Sequence, residues 1–327
     1  MERRTTICGI AGIVKYGKKP LSEAAISLLL TGNEARGNDA SGIALSQEDG
    51  SINVFKNDSP AWQFINSDGY KEFIKNHLKP STWGVIIHTR AATKGSPKDN
   101  NNNHPMYAGL SAVVHNGILN NDDYLFGKEK IERKAETDSD ILRGFIDKYG
   151  ITEKCIKEMN ALGGSAAGAA FHPHYPRKLL LFRSGNPMIL ASTEDFFMFS
   201  SEKKSLYRAL KPFVKRFNMW FHVERPEAAF SPMADDTAWI LGDNGQEKHA
   251  IFKVLVGQYH EPNRRVYENY KERQEKWNKD KKKLDPAYCS KCQKSWLVPE
   301  GRKPSDFKCN TKEGGCGAWL SVPPSTV

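Results

Sequence analysis

Four cysteines near the end of the sequence fall into two pairs, Cys289 with Cys292 and Cys309 with Cys316, separated internally by two and six residues and from each other by sixteen. Two such knuckles can close a tetrahedral thiolate cage round Zn²⁺, and a closed four-thiolate set leaves no open position for a substrate. Cys289, Cys292, Cys309 and Cys316 are therefore read as a structural zinc ribbon, with Gly314-Gly315 helping the wider second gap to turn. Without a metal this segment would have almost no core. At the other end, Cys8 stands beside Gly9 at the opening of an apolar run, Cys8-Gly9-Ile10-Ala11-Gly12-Ile13. A thiol at a strand end has little steric cover and could act as a nucleophile, although a cysteine met alone reads equally as a buried structural one.

Short apolar runs must position these groups. The pattern predicts strands at Ile10 to Val14, Gly42 to Ser46, Ile52 to Phe55, Trp83 to Thr89, Leu110 to His115, Ala166 to Phe171, Leu179 to Phe182 and Phe196 to Ser200. It predicts helices at Ser22 to Asn33, Ser139 to Tyr149 and Glu202 to Leu210, the second with Thr137 or Asp138 as N-cap. Many strands with a few helices between them make a layered α/β domain. Beyond about residue 250, Asn263 to Lys283 reads as a charged connector helix carrying Tyr267, Tyr270 and Trp277, ended by Asp285-Pro286. The run Asn100 to Asn103 reads as a polar loop.

Of the net charge of +10, residues 250–327 hold +7, from 16 Lys and Arg against 9 Asp and Glu. This basic segment suits nucleic acid or an acidic protein surface, or is simply a solvated charged helix. No run approaches the roughly 18 apolar residues of a membrane span, and the first residues lack a signal-peptide cleavage pattern. Four of the six cysteines crowd into the last 39 residues, which is not a disulfide framework and suits a reducing, cytoplasmic setting.

Five segments follow one another in order: Cys8-Gly9-Ile10-Ala11-Gly12, Arg36-Gly37-Asn38-Asp39-Ala40-Ser41-Gly42, His88-Thr89-Arg90-Ala91-Ala92-Thr93, His115-Asn116-Gly117 and Glu136-Thr137-Asp138. The series resembles the glutaminase domain of class II glutamine amidotransferases, which are N-terminal-nucleophile (Ntn) hydrolases, over residues 8 to about 245. The resemblance implies a four-layer αββα sandwich, with Cys8 as nucleophile and its own α-amine as base. That amine has a pKa near neutrality and can exchange protons at working pH. Asn116 and Gly117 would offer a side-chain amide and a backbone N–H to the oxyanion, although Asn-Gly alone is also a common β-turn. Glutamine is a zwitterion, so its pocket needs a guanidinium and a carboxylate. By resemblance these are Arg90 and Asp138, with Thr93 beside them on the substrate carboxylate; taken singly, Arg90 could be a surface ion pair and Asp138 a helix N-cap. The Arg36 to Gly42 segment supports the pocket floor and the nucleophile strand, and His88, His104 and His115 read as packing or hydrogen-bonding residues.

Two departures stand out. Lys94 occupies a position where the family often has histidine, and Ala91 replaces a frequent tryptophan. Cys8 is also internal, and an amide nitrogen is not a base, so the mechanism requires removal of Met1 to Ile7, for example by an N-to-S acyl shift at Ile7-Cys8. The expected organisation is a propeptide at 1–7, a glutaminase domain at 8–250, a basic helical connector at 251–286 and a zinc ribbon at 287–327. Ammonia from glutamine would pass to a synthase on a separate protein, docked with its substrate by the tail, and amidation of a modified nucleobase is one such reaction. The alternatives are a non-catalytic binding protein with Cys8 masked, or an Ntn amidohydrolase acting on another amide.

Overall fold

The computed structural model describes residues 8–210, 230–242, 245–254, 284–292, 295–299, 303–309 and 316–321. They belong to two units, Met1–Tyr259 and His260–Val327. The expected propeptide, the expected helix at 263–283 and Gly314-Gly315 lie outside the described residues.

The first unit contains strands β1 (Gly9–Lys15), β2 (Ala40–Gln47), β3 (Ile52–Asn57), β4 (Thr82–Arg90), β5 (Met106–Tyr107), β6 (Ala112–Leu119), β7 (Gly164–Phe171), β8 (Leu179–Ser184), β9 (Ile189–Ser192), β10 (Phe196–Ser200), β11 (Phe230–Pro232), β12 (Thr237–Gly242) and β13 (Gly245–Ile251). Its helices are α1 (Glu23–Asn33), α2 (Ala61–Asn66), α3 (Asp68–His77), α4 (Asp122–Glu129), α5 (Asp140–Tyr149), α6 (Glu153–Met159) and α7 (Lys203–Leu210). Two antiparallel sheets result, one ordered β11-β9-β10-β1-β4-β2-β3 and the other β13-β12-β8-β7-β6-β5.

Alternation along the strands makes the layers. Ala11 and Ile13 of β1, Ile43 and Leu45 of β2, and Val85 and Ile87 of β4 pack under α1, α2, α3 and α7. Ile10 and Val14 of β1 and Ile86 of β4 turn the other way, against Ala112 and Val114 of β6, Ala167 and Ala169 of β7, and Leu179 and Leu181 of β8. Val113, Ala166, Ala170, Leu180 and Phe182 face out of the second sheet onto α5 and α6. The order helix, sheet, sheet, helix is the αββα sandwich of Ntn hydrolases. Because both faces of the central strands are covered, β1 and β4 are buried at every position and read in sequence as continuous apolar runs.

Helix α1 presents Ala25, Ile26, Leu29 and Leu30 on one face, as helical spacing dictates. Each fully buried leucine stabilises the packing by roughly 1.5–3 kcal/mol. Helix α5 differs from the expectation at its start. Ser139 occupies the N-cap position, and Asp138 instead accepts a 2.6 Å hydrogen bond from the Leu119 backbone N–H at the end of β6. Thr137 Oγ1 lies 3.4 Å from the Ser139 N–H. Asp138 is thus tied across to a strand rather than capping its own helix.

The second unit pairs β14 (Leu284–Tyr288) with β15 (Ser295–Pro299), followed by a 3-10 turn at Pro304–Asp306. Pro286 lies inside β14 opposite Leu297. Ala287, Cys289, Cys309 and Leu320 form its small core, with Phe307 and Ala318 packed against it.

Candidate active site and thiolate cluster

Cys8 leads directly into β1, a central strand of the helix-covered sheet, where Gly9 pairs with Thr89 and Ile10 with His88 of β4. The residue that follows β4 receives the Cys8 side chain. The Ala91 N–H donates to Cys8 Sγ at 3.4 Å, and Sγ lies 3.5 Å from the Ala91 carbonyl oxygen. Burial pushes the Cys8 thiol up to about 11; the Ala91 N–H and the Arg90 and Arg36 charges pull the other way, and Asp138 adds to the rise. The sulfur is therefore a thiol at neutral pH and needs a base within the site to become a nucleophile.

Behind it, the Arg36 to Gly42 segment works residue by residue. Arg36 Nε donates to the Cys8 carbonyl oxygen at 3.0 Å while its Nη1 pairs with Glu202 at 2.9 Å. Gly37 lies so close to β4 that a Cβ there would meet the Arg90 carbonyl carbon at 2.3 Å. The Asp39 N–H donates to the Arg90 carbonyl at 2.9 Å, and its carboxylate accepts the Ala92 N–H at 2.8 Å. The chain segments carrying Cys8 and Arg90 are thus bound to the same loop.

Arg90 is almost fully buried at the end of β4. Its Nη1 donates to Asn103 Oδ1 at 2.9 Å, and its Nη2 donates to the carbonyls of Lys94 and Gly95 at 2.6 and 2.9 Å. The loop carrying exposed Thr93 therefore curls round the guanidinium. Lys94 then closes the loop onto α4 by a 2.8 Å ion pair with Asp122, which also binds Arg133. At this position, where the family often has histidine, the lysine is a strap.

Asn116 and Gly117 lie within β6 opposite Ala167 and Ala166, not in a turn. Asn116 alternates with His115 and so shares the inter-sheet face with Val114, whose side chain packs with Ile10 of β1. It is fully buried, and among the described residues neither Oδ1 nor Nδ2 has a hydrogen-bond partner. A buried amide with both ends unpaired is costly unless something else engages it. Gly117 has φ +153°, and a Cβ there would meet the Ser165 carbonyl oxygen at 2.0 Å, so only glycine keeps this N–H in place.

The three histidines are buried beside these groups. His115 Nδ1 bonds Ser139 Oγ at 2.8 Å, His88 Nε2 meets the His115 carbonyl oxygen at 3.0 Å, and the His88 and His104 rings stack at 4.0 Å. Burial depresses all three, His88 to about 3, so they are neutral at physiological pH.

In the second unit the Sγ atoms of Cys289, Cys292, Cys309 and Cys316 all lie within 4.8 Å of one another, with Cys289 to Cys316 and Cys292 to Cys309 each at 3.5 Å. A tetrahedron with Zn–S bonds of about 2.3 Å has edges of about 3.8 Å, so the cluster has the size of a thiolate cage. The Cys292 N–H, aimed at Cys289, holds that thiol down at about 6, whereas desolvation pushes Cys309 of the same cluster up to about 11. Cys155, by contrast, is packed within α6, with burial raising it to about 12.

Comparison with known proteins gives this geometry its context. No family model matches the chain. Glutamine–fructose-6-phosphate aminotransferase from Aquifex aeolicus is 31% identical over 216 residues, covering 63% of this chain and 34% of that one. The enzyme from Gluconobacter oxydans is 35% identical over 192 residues, 56% of this chain and 29% of its own. The chain carries a class II glutamine amidotransferase domain. In fold, the amidotransferase domain is like the B. subtilis glutamine phosphoribosylpyrophosphate amidotransferase, with a TM-score of 0.54 at 17% identity over 75% of this chain and 49% of the other. A further solved structure, an allosteric regulatory enzyme of purine biosynthesis, gives a TM-score of 0.56 at 17% identity over 76% of this chain and 50% of the other. The chain spans only about a third of the length of these curated relatives.

Several contacts of the amidotransferase domain were not read from sequence. The Ala91 N–H on Cys8 Sγ, the Lys94 strap and the Asn103 contact to Arg90 all come from chain segments distant from their partners, and no local pattern signals them. The only cue to Asn103 was its place in an asparagine run, which composition reads as solvated loop. Among the described residues, no helix is long and apolar enough to cross a membrane.

Proposed function

We propose that the chain hydrolyses glutamine to glutamate and ammonia through Cys8, after removal of Met1 to Ile7, in a domain at 8–250 followed by a connector at 251–286 and a zinc ribbon at 287–327. Cys8 Sγ attacks the side-chain carbonyl of glutamine while the α-amine of the same residue accepts the thiol proton. The Asn116 amide and the Gly117 N–H hold the tetrahedral oxyanion. The α-amine returns the proton to the departing nitrogen, ammonia leaves, and water cleaves the γ-glutamyl thioester to glutamate. Arg90 and Thr93 receive the substrate α-carboxylate and Asp138 its ammonium.

The observation that carries this reading is Asn116, a buried amide on the inter-sheet face with no partner for either polar atom among the described residues. The cysteine cluster would hold Zn²⁺ through Cys289, Cys292, Cys309 and Cys316 and would order the ribbon without taking part in the reaction. Ammonia would be consumed by a cytoplasmic synthase on a separate protein, for example one amidating a nucleobase, with the basic tail docking that partner or its nucleic acid.

Glutamate release from glutamine and from asparagine, compared between wild type and Cys8→Ala, tests the reading. It requires turnover of glutamine alone and its loss in the variant. Turnover of asparagine instead would favour an amidohydrolase on another amide, and no turnover with Cys8 exposed at the N-terminus would favour a binding protein.

A further inference from the structure

Arg90 is a long, flexible side chain, and a bidentate grip on a carboxylate needs its plane fixed in advance. The loop that binds its Nη2 contains exposed Ala92 and Thr93. On its other side the guanidinium meets Asn103, which is fully buried. Asn103 Oδ1 accepts from Arg90 Nη1 at 2.9 Å, while Asn103 Nδ2 donates to the Pro97 carbonyl at 2.7 Å and to Asn100 Oδ1 at 3.2 Å. The partner of the oxygen is a pure donor and the partners of the nitrogen are acceptors, so the amide has one admissible orientation. Lys56 Nζ, largely buried, donates to the Asn103 and Pro105 carbonyls at 2.7 and 2.9 Å and braces this backbone against β3. A Cβ at Gly42 would meet the His104 carbonyl oxygen at 2.0 Å, so the same turn is pressed onto β2.

We infer that Asn103, braced by Lys56, is the positioning residue that sets the Arg90 guanidinium for the α-carboxylate of the substrate. This rests on the reading of Arg90 as the carboxylate-binding group. Asn103 touches no reacting atom, and its effect passes entirely through Arg90.

The test compares glutamine with its α-amide, in which a neutral carboxamide replaces the α-carboxylate, on full-length wild-type and Asn103→Ala enzyme. The expected result is a KM for glutamine raised about tenfold, with kcat within about threefold and kcat/KM for the α-amide unchanged. Asn103→Asp, which keeps an oxygen at the same reach, should hold KM within about threefold of wild type. Equal losses on both substrates, or an unchanged KM, would overturn the inference. A wild-type enzyme that does not distinguish the two substrates would instead overturn the assignment of Arg90 itself. Should Asn103→Ala fail to fold, Lys56→Met carries the same test, with a rise in glutamine KM alone as the supporting result and an unchanged KM or equal losses as the overturning one.

Discussion

Arg36 holds Cys8 by its backbone, with Nε on the Cys8 carbonyl oxygen at 3.0 Å, and is itself held by Glu202 at 2.9 Å. The guanidinium thus fixes where β1 begins, and with it the direction of the Cys8 side chain, without touching the sulfur. Arg36→Ala should lower kcat by at least about tenfold with little change in KM, and should cost about 2 kcal/mol of stability, because a charge-assisted bond is lost and a buried carbonyl is left unpaired. Steady-state kinetics and urea unfolding check the two parts separately.

The thiol itself offers a pH test on the chain that still carries Met1 to Ile7. Burial raises Cys8 to about 11, so its thiolate fraction is small at neutral pH and grows with pH toward that value. Alkylation by iodoacetamide, located by peptide mass, should accelerate about tenfold per pH unit between pH 7 and 10. A rate that bends over near pH 9 and levels off by about pH 10 would mean an unperturbed thiol.

Stability should fall on acidification through the histidine cluster. His88 is depressed to about 3 in the folded protein and has its ordinary value near 6.5 when unfolded, so between these values the unfolded chain binds a proton that the folded one refuses. The stabilisation is present above pH 6.5 and is lost as pH falls toward 3, by up to about 1.4 kcal/mol per pH unit for this group. His104 and His115, shifted in the same direction, add to the slope. Urea midpoints at pH 7 and pH 5 measure it, and His88→Gln should flatten the dependence.

Removal of metal should act on the second unit alone. The small core of Ala287, Cys289, Cys309 and Leu320 buries little apolar surface, so a chelator should abolish its amide-exchange protection while leaving glutamine hydrolysis within about twofold of the untreated protein. Cys309→Ser should reproduce the loss of protection.

The parts of this molecule legible in its sequence are those where local pattern and burial agree. Strands β1, β4 and β8 are covered on both faces and so appear as unbroken apolar runs, and α1 and α7 carry their buried residues on one side. Helices α2 and α3 were missed because Ala61, Phe64, Tyr70, Phe73 and Ile74 are too few and too scattered over 61–77 to mark a period. The brief strands β9 and β11 form only because a sheet edge is there to pair with. At the site, the residue types and their order were visible, and what they hold was not. The run Asn100 to Asn103 looks uniform, yet Asn102 accepts the Glu136 N–H at 2.8 Å, Asn103 grips Arg90, and both are fully buried. Composition cannot separate four identical side chains by the partners that tertiary folding brings to each. Lys94 was visible as a departure, but its role as a strap depends on Asp122, 28 residues away.

Activation of the Cys8 sulfur by its own free amine is checked by the intact mass of protein that turns over glutamine. We expect the active species to begin at Cys8, with the Ile7→Pro variant, blocked in cleavage, inactive and full length. Glutamine turnover by a homogeneous species still bearing Met1 to Ile7 would contradict it.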